Sequence, residues 1–141
     1  MVNKTTDLST AITEAEKGHT GEIAVYVRDR APLFSKKTTR EDALNQFAIS
    51  RIWDTEENVG VLVFVCLRKK AIEIVVDRGA SKKIPDEAWS RICNEAIELI
   101  KNEKSADIGI EHAIKRVGEE LRKALPGKRL KNQIPDTVIA N

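Results

Sequence analysis

Apolar residues recur along this chain with two periods, one typical of helices and one typical of strands. Leu8, Ile12 and Ala15 have helical spacing. Gly18 follows them and is suited to end the helix, because glycine readily adopts the left-handed backbone conformation found there. These positions predict the first helix. Residues 22–30 then alternate between apolar and polar side chains, which predicts a strand with one strongly apolar face.

A capping signal and a run of valines mark the next two elements. Thr38 and Glu41 have the spacing of a capping box, and an apolar stripe continues from there to about Trp53, which predicts the second helix. Residues 60–67 are almost continuously apolar and rich in valine. This composition predicts a strand covered on both faces, near the centre of a sheet.

Three further elements complete the pattern. Residues 71–77 follow a short basic turn and predict a strand antiparallel to its predecessor. A broad apolar stripe after Pro85 predicts a third helix, and another stripe after Ser105 predicts a fourth. We expect one domain over residues 1–126 and a flexible basic tail over 127–141, where no period persists.

The order of these elements is αβαββαα, which fits a sheet with helices on both faces. The strand, helix, strand unit requires a right-handed crossover between parallel strands, and the hairpin adds an antiparallel third strand. The fold class predicted from the pattern is therefore α/β with a mixed sheet.

Composition adds limits on partners and location. The chain has 141 residues with 41% hydrophobic content, which suits one domain. Its 24 basic and 22 acidic residues nearly cancel, so no global field points to nucleic acid or to a membrane. Without an apolar leader or a run of about 18 apolar residues, we expect a cytoplasmic protein that does not associate with membranes. Cys66 and Cys93 are expected to be buried free thiols.

Candidate chemistry follows from asking which loops share an end of the sheet. The first two strands are parallel and the third is antiparallel, so the beginnings of the first two lie beside the end of the third. Polar residues with oxygen ligands gather in the loops at that end: Thr20, Glu22, Asp54, Thr55, Glu56, Glu57, Asn58 and Asp77.

Carboxylate, amide and hydroxyl oxygens without imidazole or thiolate suit a hard cation, calcium or magnesium. Arg78 and a nearby helix start add positive charge that could receive a phosphate. The alternative is structural. Asp54 and Asn58 would then only shape their loop, Gly79 would follow the strand with a positive φ, and Asp77 would pair with Arg78 or a lysine.

The same residues carry a family resemblance. GEIAVYV, IWDTEENVGVLVFV and IEIVVDRGA, with the tryptophan of the third predicted helix, resemble the TPM domain over about residues 7–126. The resemblance implies a three-layer Rossmann-like sandwich and, in some members, calcium binding or acid phosphatase activity at an acidic cluster. The chain has Asn58-Val59 where the family has paired asparagines. The positions that match the family's motifs are Glu22, Asp54, Thr55, Asn58, Asp77 and Gly79.

The leading functional hypothesis is a non-catalytic or regulatory module that binds a divalent cation. Its predicted ligands are Glu22, Asp54, Asn58 and Asp77. Five further residues are expected either to contact these ligands and orient them or to bind an anion: Thr20, Thr55, Glu56, Arg78 and Gly79. The module would present the ion to a protein partner or a phosphorylated ligand.

The alternatives are a metal-dependent phosphatase acting on phosphomonoesters and a protein-interaction module with structural acidic loops. In the phosphatase, the ion would activate water and Arg78 would steady the phosphate. His19 and His112 are expected to be an inert loop residue and a solvated helix residue. Nucleic acid is not an expected partner, although a basic cluster includes Arg122, Lys123, Lys128, Arg129 and Lys131.

Overall fold

A computed structural model of the protein describes residues 5–50, 59–103, 105–127 and 137–140. The predicted order αβαββαα is present, with a short helix and a final strand in addition. The elements in chain order are α1 (Thr5–Ala15), β1 (Glu22–Arg28), α2 (Thr39–Ile49), β2 (Gly60–Cys66), β3 (Ala71–Val76), α3 (Arg78–Ser81), α4 (Asp86–Glu103), α5 (Ala106–Ala124) and β4 (Thr137–Ala140).

The described strands form one mixed sheet in the order β3-β2-β1-β4. β1 pairs in parallel with both β2 and β4, whereas β2 pairs with β3 as an antiparallel hairpin. Every residue of β2 is buried, which confirms that the valine-rich segment is a central strand. The parallel pairing of β1 and β2 around α2 confirms the predicted crossover unit.

Helices cover both faces of the sheet, as the α/β prediction required. Ile23 and Val25 of β1, with Val61 of β2, belong to a core cluster that includes α1, α4 and α5. Ala24 follows Ile23 and Leu62 follows Val61, and both belong to a second cluster that packs against α2. The alternation of side chains along each strand therefore divides the core into two layers, one on each side of the sheet.

Local signals in the sequence explain where several helices begin and end. The Thr38 hydroxyl accepts the backbone N–H of Glu41, and the Glu41 carboxylate accepts that of Thr38, both at 3.0 Å, so the capping box is confirmed. Gly18 has φ +83°, as its predicted role at the end of α1 requires. Ser105 precedes α5, but its side chain makes no capping hydrogen bond.

α2 ends earlier than the sequence predicted. Its last residue is Ile49, and the backbone N–H of Ser50 donates to the carbonyl oxygen of Gln46 at 2.9 Å. The predicted continuation to Trp53 falls on residues 51–58, which lie outside the described part of the chain.

Within the tail predicted over residues 127–141, the structure describes residue 127 and residues 137–140. Residues 137–140 form β4, in which Thr137 aligns with Val25 and Ala140 with Arg28. A strand of four residues is too short to show a period, and its partner lies more than a hundred positions away in sequence. Pairing with β1 therefore had no local signal.

α4 and α5 are the longest helices in the described chain, with 18 and 19 residues. Each has one buried apolar face and one exposed charged face, as expected for helices that lie on a sheet. Trp89 is 5% exposed, which confirms its predicted place in the core. None of the helices in the described ranges is long and apolar enough to cross a membrane.

Candidate functional site

Glu22, Gly60 and Asp77 form a row across three neighbouring strands at one end of the sheet. Glu22 aligns with Gly60 in the β1–β2 register. The backbone N–H of Asp77 donates to the carbonyl oxygen of Gly60 at 2.8 Å, which extends the β2–β3 ladder by one residue. The predicted meeting of the start of β1, the start of β2 and the end of β3 is therefore confirmed for the described strands.

The two acidic residues of this row belong to the same face of the sheet. Glu22 alternates in phase with Ala24, and Asp77 alternates in phase with Val75, both of which pack on the α2 side. Directly opposite residues of neighbouring strands place their side chains on one face, so both carboxylates project toward that side. Gly60 stands between them without a side chain. Glu22 is 1% exposed, so its carboxylate is buried at this end of the sheet.

Only one of the two carboxylate oxygens of Asp77 accepts a hydrogen bond from a described residue. Its Oδ1 accepts the backbone N–H of Arg78 at 2.7 Å and thereby caps α3. Its Oδ2 is buried, and no described residue offers it a hydrogen bond. Buried polar atoms normally have a hydrogen-bond partner. We therefore expect Oδ2 of Asp77 to contact either a residue outside the described part of the chain or a bound cation.

The other predicted residues near this edge divide into two groups. The backbone N–H of Thr20 donates to the carbonyl oxygen of Leu125 at 3.0 Å, and Arg78 is exposed beside Asp77. Gly79 lies inside α3 and not at a positive φ, because Asp77 starts a helix directly after the strand. The remaining predicted residues all lie in 51–58, outside the described residues: Asp54, Thr55, Glu56, Glu57 and Asn58.

The described residues at this end of the sheet supply only some of the oxygen ligands that a hard cation needs. Glu22 and Asp77 contribute two carboxylates, and Oδ2 of Asp77, which has no hydrogen-bond partner among the described residues, is of the type that calcium and magnesium bind. Among the described residues, no group of three or more histidine, cysteine, aspartate or glutamate side chains forms a metal cluster. A complete site therefore needs further oxygen ligands beyond those two residues.

The two histidines have structural surroundings that the sequence did not predict. His19 is buried rather than an open loop residue: Nδ1 accepts the backbone N–H of Gly21 at 3.0 Å, and Nε2 lies 2.6 Å from the carbonyl oxygen of Ala15. Because Nδ1 accepts, Nε2 carries the hydrogen. His112 is half-buried, and its Nε2 lies 2.8 Å from Oε1 of Glu95. Only the packing of α1 and α4 beside these residues reveals their roles.

The basic residues at the end of α5 also have structural partners. Arg122 donates to the carbonyl oxygens of Ala15 at 3.3 Å and Lys17 at 3.1 Å, so it closes the C-terminal end of α1. Lys123 lies 3.7 Å from Glu120. Of the basic cluster identified in the sequence, the other three residues lie outside the described chain.

The general class of this protein is a three-layer α/β domain with two carboxylates at one end of its sheet, one at the amino end of β1 and one just after the carboxyl end of β3. The sequence model of the TPM domain matches residues 2–120, and the chain belongs to this family. No curated protein matches the chain.

Two solved structures show how far the likeness extends. The BA42 protein from the psychrophilic bacterium Bizionia argentinensis is 26% identical over 96% of this chain and 90% of its own, with a TM-score of 0.80. The N-terminal domain of a protein from P. gingivalis is 16% identical over 82% of this chain and 72% of its own, with a TM-score of 0.68. The second likeness supports the fold alone.

Proposed function

We propose that this TPM domain binds a divalent cation, calcium or magnesium, at the amino ends of β1 and β2. The observation that carries the proposal is the buried Oδ2 of Asp77, which has no hydrogen-bond partner among the described residues. It lies in one row with the buried carboxylate of Glu22, on the same face of the sheet. Two carboxylates held this way repel each other unless a proton or a cation lies near them.

Residues 51–58 would supply the missing ligands. Calcium takes six to eight oxygen ligands, whereas magnesium takes six and retains several waters. Asp54 and Asn58 carry the side chains of the required type, and Thr55 and Glu56 add a hydroxyl and a further carboxylate. The segment joins the described chain at Val59, whose carbonyl oxygen accepts the backbone N–H of Glu22 at 3.2 Å.

A bound cation would change what this end of the domain can bind. It would neutralise the charge of Glu22 and Asp77, so that a phosphorylated ligand or an acidic protein surface could approach. Arg78 is exposed beside Asp77 and would add a second positive group. We therefore propose a non-catalytic, regulatory role, and no observation among the described residues favours the phosphatase alternative.

Amide NMR spectra recorded during a calcium titration, and then a magnesium titration, test the proposal. We expect shifts near residues 20–22, 54–60 and 77–87, with saturation at or below millimolar ion. Asp77→Asn keeps the shape of the side chain and the acceptor for Arg78, but removes the charge. It should weaken binding at least tenfold, as should Asp54→Asn. Glu98→Gln removes one exposed carboxylate from α4 and serves as the matched control.

Three outcomes would change the conclusion. Absence of shifts at millimolar ion would leave the acidic loops structural and favour the protein-interaction alternative. Equal weakening by Glu98→Gln would reduce the effect to general charge attraction. Ion-dependent hydrolysis of p-nitrophenyl phosphate that Asp77→Asn abolishes would establish the catalytic alternative.

A further inference from the structure

Two basic loops meet at the opposite end of the sheet, beyond the carboxyl ends of β1 and β2. The backbone N–H of Leu67 donates to the carbonyl oxygen of Arg28 at 2.9 Å, and that of Arg68 donates to the carbonyl oxygen of Asp29 at 2.8 Å. The ladder between the two parallel strands thus continues into their loops and holds them side by side. We call residues 29–38 and 67–70 together the basic loop surface.

Positive charge dominates this surface. Within it, Asp29 is the only acidic residue and lies 3.4 Å from Arg68, while Glu41 lies just beyond it, next to Lys37. The near-neutral net charge of the whole chain conceals this concentration, because the loops are separated in sequence. The exposed cations of the basic loop surface are Arg30, Lys36, Lys37, Arg68, Lys69 and Lys70.

An apolar turn projects from the middle of these cations. The backbone N–H of Ser35 donates to the carbonyl oxygen of Pro32 at 3.1 Å, so residues 32–35 form a β-turn. Leu33 and Phe34 are its two central residues and are 75% and 97% exposed. They are the most exposed of the large apolar side chains in the described chain.

Phe34 combines this exposure with an unfavourable backbone conformation. Its φ is +63°, in the left-handed region that glycine and asparagine adopt readily and bulky residues avoid. At 97% exposure, the ring gains almost no packing inside the domain to compensate. A large apolar side chain that is almost fully exposed in a strained backbone position indicates that its stabilising contacts lie outside this domain.

We propose that the basic loop surface binds an anionic lipid membrane, with Leu33 and Phe34 entering the interface and the surrounding cations contacting lipid phosphates. An apolar tip within a rim of lysine and arginine matches both parts of such a surface, the acyl boundary and the anionic head groups. A nucleic-acid groove would instead offer several aromatic rings for successive bases. Phe34 is the only aromatic side chain at the tip.

The proposal is independent of the cation site. β1 has seven residues from Glu22 to Arg28, so the two ends of the strand lie about 20 Å apart. Loss of ion binding would leave the basic loop surface intact, and loss of membrane binding would leave Glu22 and Asp77 in place. The near-neutral net charge had given no reason to expect a membrane partner.

Co-sedimentation of the full chain with lipid vesicles provides the test. Vesicles of phosphatidylcholine alone are compared with vesicles of phosphatidylcholine mixed with phosphatidylglycerol, at low and at high salt. We expect binding only to the mixed vesicles, with weaker binding at high salt because ions screen the exposed charges.

Two variants separate the apolar and the charged contributions. Phe34→Asn should weaken binding about tenfold or more, since burial of a phenylalanine contributes about 1.5–3 kcal/mol. Because asparagine accepts a positive φ, this variant should unfold at the same temperature or higher. Lys36→Gln with Lys69→Gln should weaken binding about 25-fold, from about 1 kcal/mol per cation at the membrane surface.

Matched controls lie elsewhere on the domain. Lys82→Gln with Lys83→Gln removes the same charge from exposed positions after α3, and Ile49→Ser removes an apolar side chain that is 65% exposed on α2. Both controls should bind as the unmodified chain does. Absence of sedimentation with mixed vesicles, or equal losses in the controls, would overturn the proposal. A single-stranded oligonucleotide bound more tightly than the vesicles, with the same variants weakening it, would assign the surface to nucleic acid instead.

Discussion

Gly118 of α5 faces Ala15 of α1 so closely that no side chain fits between them. A Cβ built on Gly118 would lie 2.6 Å from the carbonyl oxygen of Ala15 and 2.9 Å from its Cα. The same carbonyl oxygen lies within hydrogen-bonding distance of His19 and accepts a hydrogen bond from Arg122. This contact holds the end of α1 against α5, directly before the turn that leads into β1.

Gly118→Ala is therefore expected to destabilise the domain. Because the added Cβ would meet backbone atoms at 2.6 and 2.9 Å, overpacking should cost about 2–3 kcal/mol, the upper part of its usual range, against a gain of about 1 kcal/mol in helix propensity. Urea unfolding should show a net loss of about 1–2 kcal/mol in the free energy of unfolding. Lys115→Ala, at an exposed position one turn earlier, is the control and should change the stability little. Equal stability of the two variants would contradict the close approach of α1 and α5.

Glu95 is expected to contribute a small pH-dependent stabilisation between α4 and α5. The hydrogen bond from His112 holds the pKa of this carboxyl below its ordinary value of 4.5, and the charge of Arg116 acts in the same direction. A lowered carboxyl pKa stabilises the folded state above the ordinary value, and the effect is lost as the pH falls through the lowered pKa. Because Glu95 is 37% exposed, Glu95→Gln should lose less than about 1 kcal/mol at neutral pH.

Urea unfolding of the chain and of Glu95→Gln at neutral and acidic pH measures this effect. The difference in unfolding free energy should be largest at neutral pH and disappear in strong acid. Glu103→Gln removes an exposed carboxylate from the end of the same helix and is the control. A difference that grows in acid would show that the pairing with His112 does not stabilise the folded state.

Cys93 is expected to react slowly with thiol reagents in the folded protein. Burial raises the pKa of its thiol to about 12, and the charge of Glu73 adds to the shift. At pH 8 the thiolate fraction is then on the order of one in ten thousand, and the thiolate is the reactive form. Cys66 is buried. Labelling with Ellman's reagent should be slow without denaturant and complete with it, and Cys93→Ser identifies the thiol responsible for any fast phase.

Arg40 is expected to protect the open edge of the sheet. Its guanidinium donates to the carbonyl oxygen of Ile74 at 2.7 Å, on the side of β3 that has no strand neighbour in the described sheet. Exposed backbone groups on an edge strand favour pairing with another chain. Arg40→Met should therefore increase self-association with concentration, as measured by light scattering after size-exclusion chromatography. Arg91→Met removes one exposed charge from α4 and is the control. Its self-association should equal that of the unmodified chain.

The sequence by itself determined most of the secondary structure. Long apolar stripes with helical spacing mark α1, α4 and α5, and the Thr38 capping box marks the start of α2. Alternating or continuous apolar runs mark β1, β2 and β3. These are local signals, because each depends on residues within a few positions of one another. Connectivity rules then placed Glu22 and Asp77 at one end of the sheet, and the observed register agrees.

Only the tertiary structure decided the features that depend on distant pairing. β4 exists through its ladder with β1, and α3 starts because the Asp77 side chain caps it directly after β3. The burial of His19, and the Asp77 oxygen that lacks a hydrogen bond from any described residue, depend on neighbours that no local pattern specifies.

The basic loop surface is the clearest case. Its cations are divided between two segments that carry no shared motif, and in the overall composition they are balanced by acidic residues elsewhere. The ladder contacts of Leu67 with Arg28 and of Arg68 with Asp29 bring the segments together. Composition averages charge over the whole chain, whereas a binding surface depends on which charges the fold places side by side.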